Sequence, residues 1–338
     1  MEGEDIYNDF ISQEWNCDNF KFHQKISKSC LLEAYIHEPS NHKNLMHVLK
    51  NMSYMIPYCG LKIHCSEKNY ESLKELKNLN KNIIIDQSIP SSRTLWEYNN
   101  MMVNPEFWKS FESEKILIFQ TDSAVLQNNI LKFIHYDYIG ARWPYNPTEV
   151  DDIHIGNGGF CLRNPKICYD ICRKNNLPPQ WAEDVFYAKH FHYTEYAVLP
   201  EISVADEFSS ELVPSLNSFG MHKTYGYNSK YFIKKLLNLN YKKIKQPLII
   251  DVSIGCDNNI IYRSEKLTDW VKLGVSHNGI NIPKDAIVPF DLGKDAPNYA
   301  GQKKYLLIKY YSQIDKKEQF CPVMLIKNKI VQYDNLIN

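Results

Sequence analysis

Four short segments set side chains of catalytic type against apolar runs: ILIFQTDSAVL (116–126), HIGNGGFCLRN (154–164), QWAEDVFYA (180–188) and SFGMHKTY (218–225). The first contributes an acid, Asp122, flanked by Thr121 and Ser123; the second a glycine loop with Asn157, Gly158 and Gly159. The third carries the adjacent acids Glu183 and Asp184, the fourth the pair His222 and Lys223. A carboxylate at a strand end can hold Mg²⁺ or Mn²⁺, which offsets charge growing on a departing phosphate. A second carboxylate can take the proton of an attacking hydroxyl. A late imidazole suits a metal, and a lysine suits a phosphate. In this order, the segments hold what is needed to move a sugar off a nucleoside diphosphate.

Each segment also has a plainer reading. Asp122 and Ser123 are favoured caps for a helix beginning near Ser123. Asn157-Gly158 is a strong signal for a tight hairpin turn before a strand at Phe160–Arg163. The loop is not a phosphate-binding GxGxxG or P-loop, because its spacing differs and no Lys-Ser/Thr follows. Glu183 and Asp184 fit the positive end of a helix dipole, and Trp181 before them suits either a sugar face or the core. His222-Lys223 reads equally as a surface loop.

Alternating patterns must position these groups. Strands are predicted at Cys30–Ile36, Leu61–Cys65, Ile83–Asp86 and Lys115–Gln120, and helices at His42–Met55, Asn69–Leu79 and Arg93–Phe111. Such alternation predicts βαβ units and a mostly parallel sheet with helices on both faces. Ligands of such sheets bind outside the carboxyl ends of strands, where Thr121, Asp122 and Ser123 fall. Further on, a helix is expected over Leu126–Tyr136, strands at Tyr138–Ala141 and Gly159–Arg163, helices at Pro165–Asn176 and Ala182–Phe191, and an extended run at Tyr196–Val204. Beyond Pro247, short β-rich runs punctuated by Asn, Gly, Asp and Pro predict a small antiparallel sandwich or barrel. The division expected is an N-terminal polar arm (1–28), an α/β domain (29–237), a Lys- and Asn-rich linker (238–246) and a β-rich domain (247–338).

Composition narrows the partners. The 39 basic and 39 acidic side chains balance, which argues against nucleic acid as the main partner. Nine scattered cysteines without a CxxC pair read as buried thiols rather than a disulfide framework. The acidic start MEGEDIYNDF lacks the features of a signal peptide, and no run has the length of a membrane span. The expectation is a cytoplasmic protein, with self-association through the C-terminal domain as one option.

The run from Ser29 to Tyr227 resembles a family of glycosyltransferase-like domains with the GT-A fold, a Rossmann-like arrangement. The resemblance is carried, in order, by ILIFQTDSAVL, YDYIGARW, GNGGFCLRN, Glu183-Asp184, LPEISVADEFSSE and GMHKTY. It implies that Thr121-Asp122-Ser123 stands at the DxD metal motif, with Gln120 in the first acidic position. It implies His222 as a second metal ligand, Lys223 and Arg93 near the donor phosphates, and Gly158 and Gly159 along the donor sugar. The acid pair would serve the acceptor, with Asp184 favoured as base and Glu183 as acceptor ligand, or the reverse. The implied activity is Mn²⁺- or Mg²⁺-dependent, inverting transfer from a UDP-sugar to a glycan, protein or lipid hydroxyl. The alternative is a non-catalytic sugar- or nucleotide-binding module. A nucleotidyltransferase is disfavoured, because the loop His37–Asn41 after the first strand has no glycine.

Overall fold

The computed structural model of the chain describes residues 2–12, 22, 26, 30–80, 82–92, 94–148, 153–238, 248–256, 259–276, 279–280, 282, 304–312, 317–326 and 329–333. The chain divides into two compact units. One comprises Met1–Tyr54, Cys59–Gln127 and Tyr136–Tyr241, the other Met55–Tyr58, Asn128–His135 and Lys242–Asn338.

The first unit opens with α1 (Glu2–Ile11), followed by β1 (Leu32–Glu38), α2 (Leu45–Met55), β2 (Gly60–Cys65), α3 (Glu67–Leu79) and β3 (Ile83–Asp86). Next come α4 (Leu95–Met102), α5 (Pro105–Lys109), β4 (Lys115–Phe119) and the short β5 (Ser123–Val125). The predicted single helix over Arg93–Phe111 is therefore two. Asn104 caps α5 through its side chain and Pro105 sits at its first turn, where a missing N–H is harmless, so the chain breaks there. α4 begins with a capping box, Thr94 and Glu97.

The unit continues with β6 (Tyr138–Ile139), β7 (Phe160–Arg163), α6 (Pro165–Lys174), α7 (Glu183–His192), α8 (Ile202–Phe208), β8 (Ser209–Ser210), β9 (Gly220–His222) and α9 (Lys230–Asn238). Two expectations fail here. Leu126–Tyr136 holds only a 3₁₀ turn at Ile130–Lys132, and the run expected to be extended to Val204 enters α8 at Ile202.

The main sheet has the order β3-β2-β1-β4-β7-β6. β1 is parallel to β2 and β4, and β2 to β3, while β7 is antiparallel to both β4 and β6. The mostly parallel sheet with flanking helices is the predicted α/β class. Every residue of β2 and β4 is buried, which explains the continuous apolar run Ile116–Phe119 of β4; β2 also buries Lys62 and His64. Tyr35, Ile116, Ile118, Phe107, Trp108, Phe186 and Tyr187 share one core. Strand order reverses between β1 and β4, so the carboxyl end of β4 lies at a topological switch point. Cys30, Cys59, Cys65, Cys161, Cys168 and Cys172 are free and buried.

The expectation of a loosely attached N-terminal arm does not hold for its first residues. Tyr7 and Ile11 of α1 are fully buried. The hydrophobic spacing of an amphipathic helix is present there but short, and the acidic residues around it mask it.

The second unit contains β10 (Leu248–Cys256), β11 (Asn259–Arg263), α10 (Glu265–Leu273), β12 (Val275–Ser276), β13 (Gly279–Ile280), β14 (Lys304–Ser312), β15 (Lys317–Ile326) and β16 (Lys329–Tyr333). Its five-stranded antiparallel sheet runs β11-β10-β14-β15-β16. In place of the sandwich or barrel predicted here, the described residues hold this sheet, the two-stranded β12-β13 and one helix. Leu267, Trp270 and Val271 of α10 are buried, and Ser264 caps the helix. Trp270, in the region predicted to be β-rich, is helical because Leu267, Trp270 and Val271 recur at three and four residues. The expected linker lies outside the described residues apart from Asn238, the last residue of α9.

Candidate active site

The chain leaves β4 through a tight turn. The Ser123 N–H donates to the Gln120 carbonyl (3.1 Å), as does the Ser123 hydroxyl (2.7 Å), and the Gln120 N–H donates to Ser123 Oγ (3.1 Å). Ser123 then enters β5, so Asp122 caps no helix. The predicted ligand role of Ser123 does not fit either: its hydroxyl is buried and taken up by the turn.

β5 pairs antiparallel with β9, which sets Ser123 opposite His222, and the Lys223 N–H donates to the Asp122 carbonyl (2.9 Å). This three-stranded sheet, β5-β9-β8, brings together residues a hundred positions apart. His222 Nε2 lies 3.2 Å from Asp122 Oδ1 and 3.2 Å from Gln120 Oε1. Its Nδ1 lies 3.1 Å from Glu211 Oε1. Glu211 follows β8, whose parallel pairing with β9 delivers it.

A carboxylate on Nδ1 makes that nitrogen the donor and turns Nε2 toward the other ligands. A neutral imidazole would then present a lone pair to two oxygens, an arrangement that needs positive charge between them. A proton on Nε2 would supply it. Burial opposes charging His222, but Asp122 and Glu211 outweigh it and raise the imidazole to about 10. Burial likewise pushes the Asp122 carboxyl up, and His222 and Lys223 more than reverse this, leaving it below its ordinary value.

A divalent cation would replace that proton. Asp122 Oδ1 is close to the imidazole as an ion pair but lacks the alignment of a hydrogen bond, and Glu211 Oε2 is buried without a donor. Asp122 and the Gln120 amide oxygen suit Mg²⁺ or Mn²⁺, and the imidazole nitrogen tilts the set toward Mn²⁺. The donor set is sparse: among the described residues, no three His, Cys, Asp or Glu side chains form a metal cluster. The third donor is an amide.

The glycine loop acts through the side chains it lacks. A Cβ on Gly156 would lie 1.8 Å from the Trp143 ring, one on Gly158 2.1 Å from Glu183 Oε1, and one on Gly159 2.2 Å from His222 Nε2. Three glycines thus seat three different side chains. The predicted lining of a donor sugar by Gly158 and Gly159 gives way, on that side of each residue, to contact with protein groups. Asn157 adopts φ 80°, and its side-chain oxygen accepts from the Gly159 N–H (2.8 Å), so this oxygen serves the loop rather than a ligand. Among the described residues only Asn157 and Lys223 (φ 47°) are non-glycine residues with positive φ, and both adjoin this site.

The acid pair divides at the start of α7. Glu183 Oε2 and Arg163 Nη1 are 2.6 Å apart, with side chains 4% and 0% exposed. Burial raises the Glu183 carboxyl, opposed by the Arg163 guanidinium, which cannot release its proton. Arg163 also lies over the Tyr187 ring, 4.5 Å from its centroid. Glu183 therefore braces the loop rather than meeting an acceptor directly. Asp184 is half-buried, its Oδ1 accepting from the Val185 N–H (2.8 Å). The Gly158 Cβ position lies 3.5 Å from Asp184 Cβ, so the loop that touches His222 also touches this acid.

Lys223 is exposed, and Thr121 Oγ1 lies 3.5 Å from Glu38 Oε2 at the end of β1. Arg93 lies outside the described residues. Trp181 is half-buried beneath Lys189, whose Nζ is 4.7 Å from the ring centroid.

Residues 81–225 match a family described as "Protein of unknown function (DUF5672)". That segment contains Asp122, Gly159, Glu183, Glu211 and His222. No curated protein matches the chain by sequence. Among solved structures, the glycosyltransferase GlyE of Streptococcus pneumoniae TIGR4 is similar over 64% of this chain and 61% of its own, with 10% identity and a TM-score of 0.40. A mannosyltransferase from Pyrobaculum calidifontis, in complex with GDP-Man and Mn²⁺, is similar over 60% of this chain and 63% of its own, with 9% identity and a TM-score of 0.34. A 4-diphosphocytidyl-2C-methyl-D-erythritol synthase from Anaerococcus prevotii DSM 20548 is similar over 50% of this chain and 86% of its own, with 13% identity and a TM-score of 0.35. The chain thus spans about three fifths of the two glycosyltransferase chains. No described helix is long and apolar enough to cross a membrane.

Two groups escaped the sequence reading. Glu211 ends the LPEISVADEFSSE segment, and a search for a carboxylate partner to the proposed metal histidine would have singled it out. Arg163 reads in sequence as the end of an apolar strand, and nothing local marks it as the partner of Glu183.

Proposed function

We propose that this chain is a glycosyltransferase of the hexosyltransferase class with a GT-A-like domain. It moves a sugar from a nucleotide-sugar donor, a UDP-sugar first among them, to a hydroxyl acceptor with inversion. The observation that carries this is the 3.2 Å approach of His222 Nε2 to Asp122 Oδ1 at the carboxyl end of β4. Asp122, His222 and the Gln120 amide would hold Mn²⁺ or Mg²⁺, which when bound offsets charge on the departing diphosphate. Glu211 holds the imidazole so that Nε2 faces the ligand. Lys223, held in the left-handed conformation beside this cluster, offers its ammonium group to the diphosphate. Asp184 takes the acceptor proton, and Glu183, clamped by Arg163, fixes the start of α7 beside it. Thr121 and Asn157 border the donor. Residues 247–338, which follow 238–246 and supply most of the second unit, serve self-association or acceptor selection.

A second reading, a binding module that holds nucleotide or sugar without turnover, is favoured by the amide at position 120 and by the engagement of Glu183 with Arg163. Incubating the full chain with UDP-sugars and Mn²⁺ and measuring released UDP separates the two. The first reading expects release that Asp122→Ala abolishes. Binding of UDP without cleavage of any donor supports the module, and neither binding nor cleavage ends both.

A further inference from the structure

The N-terminal helix reaches the turn that carries Asp122. The Tyr7 hydroxyl lies 2.8 Å from the Ser123 carbonyl and 3.1 Å from the Thr121 carbonyl, the two residues flanking Asp122. The carbonyl between them, that of Asp122, accepts from the Lys223 N–H. All three successive carbonyls of the turn are therefore engaged, two by a single phenol that has one proton to share. Tyr7 is fully buried.

The helix is seated for this contact. The Tyr7 and Tyr225 rings lie 5.0 Å apart. A Cβ on Gly3 would come within 2.9 Å of the Tyr225 carbonyl, so α1 approaches as closely as a glycine permits. Asn44 Nδ2 donates to Asn8 Oδ1 at 2.9 Å, tying the helix to the segment before α2. Tyr225 belongs to the chain that continues from Lys223, so one helix braces both arms of the site: the Asp122 turn and the exit from β9.

We propose that Tyr7 is a positioning residue for Asp122, its hydroxyl bridging the carbonyls of Thr121 and Ser123 so that the carboxylate faces His222. The cation-binding consequence rests on the glycosyltransferase reading; the bracing of the turn does not. The hydroxyl ties the backbone on both sides of the acid, adding to the Gln120–Ser123 bonds and to the β5–β9 pairing. Removing the hydroxyl leaves the buried Ser123 carbonyl and the part-buried Thr121 carbonyl short of that donor and loosens the turn, which then rests on the Gln120–Ser123 bonds and the Lys223 N–H alone. α1 thereby becomes part of the site although it lies more than a hundred residues from it in sequence.

The test compares Tyr7→Phe with Asn8→Ala in the full chain. Asn8→Ala loosens the same helix without touching the turn. Amide exchange over residues 120–125 and 222–223 is followed by mass spectrometry, alongside melting temperature and Mn²⁺ affinity by the electron spin resonance of free Mn²⁺. Tyr7→Phe is expected to speed exchange of the turn about tenfold and weaken Mn²⁺ binding about tenfold, whereas Asn8→Ala leaves both unchanged. Unchanged exchange in Tyr7→Phe overturns the proposal. Equal changes in both variants, tracking melting temperature, also overturn it, because the helix would then act only on stability. If the unaltered chain binds no Mn²⁺ while Tyr7→Phe still speeds exchange of the turn, the cation reading fails and the bracing role stands.

Discussion

Two buried charge clusters touch the same glycine loop, and they are built for opposite purposes. Arg163 and Glu183 form a closed pair at 2.6 Å behind Gly158, with aromatic faces around the guanidinium. His222 stands behind Gly159 between Asp122 and Glu211, with a side chain 11% exposed beside a carboxylate 26% exposed. The first cluster has one charge of each sign and no opening. The second has two carboxylates for one imidazole and an acid that reaches solvent. An excess of acceptors facing an opening invites a cation, whereas a matched pair sealed in the core orders the scaffold.

The largest expected effect breaks the closed cluster. Arg163→Met leaves Glu183 buried and unpaired and is expected to cost about 3–5 kcal/mol of unfolding free energy, measured by urea denaturation. A cost below about 1 kcal/mol would show that the pair is not the brace described here. Asp122→Asn, in contrast, is expected to change stability by no more than about 1 kcal/mol, because Glu211 still holds His222.

A third buried carboxyl sharpens the comparison, since it has neither a guanidinium against it nor an opening. Glu33 accepts a hydrogen bond from the Ser113 hydroxyl (2.8 Å), and burial raises its carboxyl to about 7. The folded state therefore binds a proton more readily than the unfolded chain between pH about 4.5 and 7. Its contribution is fully present below the unfolded value and is lost as pH rises through the folded one. Across that window the loss amounts to roughly 3 kcal/mol. Glu33→Gln is expected to remove this fall, so that stability at pH 8 rises relative to the unaltered chain; an unaltered pH profile would count against a buried, protonated Glu33.

Gly159→Ala tests the seat of the imidazole. The added methyl would fall 2.2 Å from Nε2, so the imidazole or the loop must shift. If the chain is the proposed transferase, UDP release is expected to fall about a hundredfold, as for misplacement of a catalytic group by about an ångström. Retention of full turnover would separate His222 from the chemistry. The smallest effect is expected from Glu211→Gln, whose amide oxygen can still accept from Nδ1. If His222 is the proposed metal ligand, Mn²⁺ affinity is expected to fall about tenfold, the lower range for loss of a carboxylate behind such a histidine. No change in a Mn²⁺ titration would assign Glu211 to structure alone.

How much of this was legible in advance differs between the clusters. Asp122 was readable because an apolar strand ending in a polar acid points to the carboxyl edge of a parallel sheet, where ligands bind. His222 was readable by resemblance, but its contact with Asp122 depends on β5 and β9, three-residue strands too short to leave a pattern. Glu183 was misjudged for a physical reason. An acid at a helix start looks available, and only the burial of Arg163, contributed from a strand twenty residues earlier, removes it from solvent. The glycines were taken as room for a ligand, whereas much of that room belongs to Trp143, Glu183 and His222.

The sequence by itself determined the α/β class and the strand whose carboxyl end leads to Asp122, because hydrophobic periodicity and chain punctuation are local properties. It did not determine which charges would be neutralised, which would remain open, or that a tyrosine at position 7 would grip the turn at 121–123. Those outcomes depend on distances between residues far apart in the chain, and burial sets their energies. Only the tertiary structure decides which groups share a low-dielectric interior and which keep contact with water.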